Sequence, residues 1–109
     1  MIREFASRSC RPLGADTPPM PSAAIAATLQ AFPGWALEHG AIAKTFSFPD
    51  YYQTIAFVNA LAWMVHGQDH HPELVVRFNS CRVAFDTHSI GGVSENDFIC
   101  AARIEELFA

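Results

Sequence analysis

Residues 70–88 read HHPELVVRFNSCRVAFDTH and contain two short alternating runs on either side of a turn. Alternation of apolar and polar residues with a period of two is typical of strands that bury one face. We therefore predict a β-hairpin here, with Asn79-Ser80 as its two-residue loop. The apolar members of the two runs are Leu74, Val76, Phe78, Val83 and Phe85.

A second hairpin and three helices complete the predicted fold. His39-Gly40 separates extended stretches at 35–38 and 41–48, as expected of a hairpin turn. The order helix, two strands, helix, two strands, helix predicts an α+β domain, with a four-stranded antiparallel sheet and three helices packed on one face. The helices are predicted at 23–31, 50–66 and 95–108, with caps at Ser22, at Asp50 with Gln53, and at Ser94 with Asp97; the last helix is expected to bury Ala101, Ile104 and Phe108.

The middle helix is apolar on almost every side. From Ile55 to Val65 its only strongly polar residue is Asn59, and Gly67 is expected to end the helix near His66. Such a helix cannot leave one side in water, so the side that does not meet the sheet is expected to meet a second subunit. The pattern predicts an oligomer.

Composition limits the classes of function. The net charge is −4 over 109 residues, which argues against a nucleic-acid-binding surface. No apolar run approaches the roughly 20 residues that span a bilayer, and no secretory signal pattern is present. Cys10, Cys81 and Cys100 are far apart in sequence, so a disulfide framework is not expected. We expect a cytoplasmic protein that binds neither nucleic acid nor membrane.

The first twenty residues show no sustained periodicity. They contain Pro12 and Gly14, and the run Pro-Pro-Met-Pro follows at 18–21. We therefore expect a flexible N-terminal tail over 1–20 and one globular domain over 21–109.

Three of the five histidines are predicted to meet. If Phe78 pairs with Cys81, the same register places His71 opposite His88 at the open end of the hairpin, with Cα atoms roughly 5 Å apart. His70 is adjacent to them. Imidazoles titrate near neutral pH, so one ring can act as an acid while its neighbour acts as a base. Asp69 and Asp86 flank the cluster and are candidates to orient the rings.

Other interpretations of the same residues remain open. His66 alone fits a helix-terminal residue that interacts with the helix dipole, and Asp97 fits a residue that serves the N-terminus of the last helix. His66, His70 and His88 would also suit a zinc site, although Gly67 is expected to break the helix between the first two. His39 is expected to be an exposed turn residue.

The pattern of these residues resembles the pterin-4a-carbinolamine dehydratase family. The likeness covers about residues 22–109, and a His-His-Pro motif followed by Thr-His at this spacing is specific. The matching residues are His70-His71-Pro72-Glu73, Thr87-His88, Gly91-Gly92-Val93-Ser94 and Asp97, with Trp35, Phe46-Ser47-Phe48, Asp50-Tyr51 and Phe57 upstream.

This resemblance implies a four-stranded antiparallel sheet with three helices, and a dimer or a tetramer built from dimers. It implies loss of water from a 4a-hydroxytetrahydropterin to give quinonoid dihydropterin, in support of pterin recycling by aromatic amino acid hydroxylases. No metal and no bound cofactor are needed. The family's three histidines correspond to His70, His71 and His88.

The resemblance also assigns roles within the site. We expect His70 and His88 to be the acid–base pair and His71 to be chiefly a pterin-binding group. The remaining pterin-binding residues are expected to be Asp69, Asp86, Thr87 and Ser89. His66 stands where the family often has Glu, which places the rate and the pH optimum in question more than the reaction class.

A second function is compatible with the resemblance. Members of this family can resemble dimerisation cofactors of transcription regulators. In that case the apolar middle helix would be the docking surface, and the histidines would have no catalytic role.

Overall fold

The computed structural model describes residues 1–107. Two hairpins form one antiparallel sheet of order β1-β2-β4-β3. The strands are β1 (Ala36–Glu38), β2 (Ala41–Ser47), β3 (Glu73–Val76) and β4 (Ser80–Phe85), and the helices are α1 (Ile2–Ala6), α2 (Ser22–Leu29), α3 (Tyr51–Gln68), α4 (Glu95–Glu106) and a 3₁₀ turn at His88–Ile90. The α+β class and the four-stranded antiparallel sheet predicted from the sequence are confirmed. Phe108, expected to be buried on the last helix, lies outside the described residues.

One face of the sheet carries the core. The register places Ile42 opposite Phe85 and Phe46 opposite Cys81, and all four are buried against apolar residues of α2, α3 and α4. Lys44 has the same parity but is polar; its Nζ lies 2.9 Å from Glu105 Oε2 on α4. This ion pair explains how a lysine is accommodated on the face that the helices cover.

The β3–β4 hairpin differs from the prediction by two residues of register. Val76, not Phe78, pairs with Cys81, and the Arg77 amide donates to the Ser80 carbonyl. The loop is therefore Phe78-Asn79. Its carbonyls are bound from elsewhere in the fold: Phe78 O accepts from Thr54 Oγ1, and Asn79 O accepts from the amide of Phe48. These tertiary hydrogen bonds favour the observed loop over the predicted one.

Helix α3 continues through Gly67, so the prediction that it ends near His66 was wrong. The residue that ends it is Asp69, which adopts the left-handed conformation at φ 52°. Aspartate tolerates this region better than most side chains. The His70 amide then donates to the Val65 carbonyl, which closes the last turn. The helix end therefore fixes the backbone of the first histidine of the His-His pair.

Residues 1–20, expected to form a flexible tail, contact the core through partly buried apolar residues that include Ile2, Phe5 and Met20. Phe5 of α1 lies 5.8 Å from Phe32 and 5.9 Å from Phe98 between ring centroids. Beyond α1, the carbonyl of Arg8 accepts two hydrogen bonds from Arg103 on α4. Burial of aromatic surface offsets the entropic cost of ordering this segment.

Candidate active site

A small pocket lies where the end of α3 meets the open end of the β3–β4 hairpin. Its volume is about 210 Å³. The sequence predicted seven substrate-binding residues, and the structure brings all seven to this pocket. They are Asp69, His70, His71, Asp86, Thr87, His88 and Ser89.

The histidines meet in spite of the wrong register. In the observed register Glu73 pairs with Ala84, and two further residues along, His71 comes opposite Asp86 rather than His88. His88 reaches the pocket because the chain folds back at the end of β4, where the Thr87 amide donates to the Gly92 carbonyl. The 3₁₀ turn that starts at His88 is part of this reversal.

Asp97 holds the ring of His70. Asp97 is fully buried, and its Oδ1 lies 2.6 Å from His70 Nε2. Its other oxygen accepts hydrogen bonds of 2.8 Å from Thr87 Oγ1 and from the Ser94 amide. The His70 ring also stacks on Phe85, with 5.9 Å between ring centroids and 10° between planes. A carboxylate fixed on one ring nitrogen sets the orientation of an imidazole and the position of its proton.

The pKa of His70 is raised above 6.5 by this environment. Burial acts in the opposite direction and is the largest single influence, since it penalises the charged ring. The hydrogen bond and the negative charge of Asp97 together outweigh burial, and Cys10 and Asp86 add to their effect. A raised pKa at a partly buried histidine that is bound to a buried carboxylate is a feature of groups that transfer protons.

His71, His88 and His66 have more open surroundings. His71 and His88 are exposed, so their rings face solvent at the edge of the pocket. His66 does not line it. His66 lines an adjoining hollow of about 290 Å³ that also includes Asp69, His70 and His71, and its ring lies 6.5 Å from that of Trp63. Within residues 1–107, no three His, Cys, Asp or Glu side chains are grouped so that they could hold a metal ion.

Comparison with known proteins identifies the family. Residues 18–107 match the family described as pterin 4 alpha carbinolamine dehydratase. The chain belongs to the pterin-4a-carbinolamine dehydratase family. The match includes the pocket and the Asp97 network and excludes α1.

Named relatives and a solved structure agree with this assignment. Proteins of Nitrosospira multiformis and Nitrosomonas eutropha are 48% and 50% identical to this chain over 107 residues, and the alignments cover 98% and 97% of this chain and 95% of each relative. Both are named provisionally as pterin-4-alpha-carbinolamine dehydratases. A crystal structure from Brucella melitensis, described as a transcriptional coactivator/pterin dehydratase, has a TM-score of 0.79 at 28% identity, with 84% of this chain and 99% of that chain covered.

The supporting groups of the site were only partly visible in the sequence. Ser94 and Asp97 form the predicted capping box of α4, but the same carboxylate also binds His70, 27 residues away in sequence. The aspartate at the third helical position was the available signal, because its short side chain lies close to the strand end. The stacking of Phe85 on His70 had no signal, since Phe85 has the pattern of a core strand residue.

Proposed function

We propose that this chain is a dehydratase that removes water from a 4a-hydroxytetrahydropterin and releases quinonoid dihydropterin. The observation that carries the proposal is the pocket lined by His70, His71 and His88, in which His70 is bound to a buried carboxylate. Membership of the pterin-4a-carbinolamine dehydratase family supplies the substrate class.

The chemistry requires one proton to be delivered and one to be removed. The C4a hydroxyl leaves as water once it is protonated, and the proton on N5 is lost so that the N5–C4a double bond forms. We assign these two transfers to His70 and His88, and we assign pterin binding chiefly to His71. Asp69, Asp86, Thr87 and Ser89 would complete the binding surface around the ring system.

Asp97 would act as a positioning residue for His70. Because Nε2 of His70 is held at the carboxylate, Nδ1 is the nitrogen left to exchange a proton with the substrate. In residues 1–107 no hydrogen bond is formed by this Nδ1. The raised pKa of His70 means that a larger fraction of its rings carry a proton near neutral pH. This favours His70 as the group that protonates the leaving hydroxyl and His88 as the base.

His66 would modify the site without taking part in the reaction. It lies in the hollow that adjoins the pocket, one helical turn before His70. Glutamate is frequent at this position of the family and would favour the protonated form of neighbouring histidines, whereas an imidazole does not supply that negative charge. The proposed role of His66 is therefore in the pH dependence of the reaction.

The enzyme would work as an oligomer in pterin recycling. Tyr52 and Trp63 on α3 are 83% and 81% exposed, and an apolar groove of about 540 Å³ runs beside this helix. We propose that a second subunit covers this surface in a homodimer or a dimer of dimers.

The quinonoid product would return to an aromatic amino acid hydroxylase through a reductase step. We place the protein in the cytoplasm, where its free thiols would stay reduced. No helix within residues 1–107 has the length and apolar character to cross a membrane.

A second candidate function is that of a partner-binding coactivator. The similar structure from Brucella melitensis favours it, because that protein is named both a transcriptional coactivator and a pterin dehydratase. The exposed surface of α3 would then dock a partner, and the pocket would have no role in that activity.

The turnover of a 4a-hydroxytetrahydropterin, followed by the absorbance of the quinonoid product, separates the two candidates. The dehydratase proposal expects a rate well above that of spontaneous dehydration in the same buffer. A rate equal to buffer alone, from a protein that still assembles into oligomers, would reject the enzyme and leave the coactivator.

A further inference from the structure

Two thiols from opposite ends of the chain meet beside the candidate active site. Sγ of Cys10 lies 3.6 Å from Sγ of Cys100, although the two residues are 90 positions apart. Both are free cysteines, with Cys10 partly exposed and Cys100 fully buried. Because only Cys10 is partly exposed, a small oxidant in solvent would reach the pair at Cys10 and not at Cys100.

The backbone around the pair is asymmetric. Cys100 is in the middle of α4, where the helix fixes its position. Cys10 belongs to the irregular segment after α1, and its amide donates to Gln68 Oε1 over 2.8 Å. A disulfide requires sulfurs about 2.05 Å apart, so the pair must approach by about 1.5 Å. The irregular segment around Cys10 is the part that can move.

We propose that Cys10 and Cys100 form a peroxide-responsive disulfide that fastens the N-terminal segment to α4. Cys10 is the thiol that reacts first, and Cys100 is the thiol that resolves the oxidised product. Cys81 is not involved, because it is fully buried on β4 and its sulfur lies near the carbonyl of Arg82.

The redox steps balance with a peroxide as oxidant. The Cys10 thiolate attacks one oxygen of hydrogen peroxide, the O–O bond breaks, and Cys10 becomes a sulfenic acid while the departing hydroxide takes up the proton lost by the thiol and leaves as one water. The Cys100 sulfur then attacks the Cys10 sulfur, the S–O bond breaks, and the hydroxyl leaves with the Cys100 proton as a second water. Two thiols lose two electrons in total, and the peroxide is reduced to water. A thiol reductant reverses the reaction.

The electrostatic environment agrees with this order of reaction. The hydrogen bond from Cys100 lowers the pKa of Cys10 below 9.0; burial opposes it, the positive charges of His70 and Arg103 add to it, and Asp97 acts against it. The hydrogen bond with Cys10 and burial both raise the pKa of Cys100. Since the thiolate is the form that attacks peroxide, Cys10 is the more reactive of the two.

The cross-link would stabilise the part of the fold that supports the pocket. The segment from Cys10 to Met20 contacts the elements on both sides of the pocket. The Cys10 amide donates to Gln68 at the end of α3, and the Leu13 carbonyl accepts from Ser89 Oγ in the 3₁₀ turn. Closing a loop of this length restricts the unfolded chain strongly. We expect the melting temperature of the oxidised protein to rise by at least about 5 °C.

Intact mass and thiol counting on the full chain test the proposal. After treatment with hydrogen peroxide and removal of the excess, we expect the mass to fall by about 2 Da. One thiol should remain under denaturing conditions, and one cross-linked peptide should join Cys10 to Cys100. The higher melting temperature should return to its starting value with dithiothreitol. Accumulation of Cys10 sulfinic acid, with a mass gain of about 32 Da and no cross-linked peptide, would overturn the proposal.

Three variants sharpen the test. Cys81→Ser should form the cross-link as the unchanged protein does. Cys100→Ala should lose the cross-link and accumulate oxidised Cys10 instead. Cys10→Ser changes a partly exposed residue outside the helices, so we expect this variant to fold. It should also lose the cross-link, and it therefore tests the proposal even if the Cys100 variant does not fold. A disulfide that persists in Cys10→Ser, or that joins two copies of the chain in the unchanged protein, would contradict the assignment.

Discussion

His70 is the residue whose surroundings say most about its chemistry. Its ring is stacked on Phe85, bound to a buried carboxylate at 2.6 Å, and mostly removed from solvent. Burying the Asp97 carboxylate is costly unless its charge is compensated. A histidine needed only for packing would not require such a partner. Asp97 is compensated by three donors: His70, Thr87 and the Ser94 amide.

Replacing Asp97 tests the positioning role. We expect Asp97→Asn to lower kcat by about 10- to 100-fold, because the amide no longer fixes the ring or stabilises its charged form. The limb of the pH–rate profile that belongs to His70 should move to lower pH. Asp50→Asn, at the cap of α3, is the matched control and should leave the profile unchanged. A lower rate with an unshifted limb would mean that Asp97 serves only the fold.

The raised pKa of His70 predicts a pH-dependent contribution to stability. A raised folded-state pKa stabilises the fold fully below the unfolded value of about 6.5, and this contribution is lost as the pH rises through the folded value. His70→Gln should therefore reduce the free energy of unfolding more at pH 5.5 than at pH 8.5. Denaturant titrations at the two pH values measure the difference.

A double-mutant cycle separates the pair from other titrating groups. In an Asp97→Asn background, the extra loss at pH 5.5 should disappear, because burial, which lowers the pKa of His70, is no longer opposed by the Asp97 charge. If His70→Gln in the protein that retains Asp97 reduces the free energy of unfolding equally at both pH values, or more at pH 8.5, the raised pKa of His70 would be contradicted.

At the scale of elements, the strands were predictable and their exact pairing was not. The observed register of β3 and β4 differs from the predicted one by two residues. A shift of two preserves the buried face, whereas a shift of one would reverse it. The predicted core face is therefore preserved, whereas His88 reaches the pocket through the chain reversal after β4. The loop position depends on Thr54 and Phe48, which bind its carbonyls, and local sequence does not reveal such distant partners.

Gly67 offers a direct test of where α3 ends. A glycine that ended the helix in the left-handed region would resist substitution, but Gly67 lies within α3. Apart from its chain neighbours and the backbone of its own helix, no atom of the described residues lies within 4 Å of an added Cβ. Gly67→Ala should therefore raise the free energy of unfolding by about 0.5 kcal/mol. Gly91→Ala, at φ 72°, should lower it by about 1 kcal/mol. A lower free energy of unfolding in Gly67→Ala would contradict the observed end of α3 and would indicate that the helix ends at Gly67.

At the scale of the whole molecule, the first twenty residues were the main omission from the prediction. Their contacts depend on Phe5 packing with Phe32 and Phe98, which are too few apolar positions to give a periodic signal. The omission also concealed the Cys10–Cys100 pair, because a tail has no fixed neighbour. The pocket was predictable because its residues flank one hairpin, and the resemblance to the family named the same positions.

The exposed surface of α3 predicts the state of assembly. Sedimentation of the purified protein should give two or four times the chain mass of 12.0 kDa. Trp63→Glu should shift the distribution towards the monomer, since it places a charge in the surface that a second subunit would cover. Ala26→Glu, exposed on α2, should not. A monomer at micromolar concentration in the unchanged protein would contradict this part of the proposal.

The central claim is that three histidines act on one pterin in one pocket. The kcat/KM values of His70→Ala and His88→Ala for a 4a-hydroxytetrahydropterin test it most directly. His39→Asn is the control, since His39 is a turn residue at φ 50° that asparagine replaces without strain. We predict losses of about 10²- to 10⁴-fold in the first two variants, with melting temperatures that show a folded protein, and no loss in the control. Values within twofold of the unchanged protein in both variants would contradict the account.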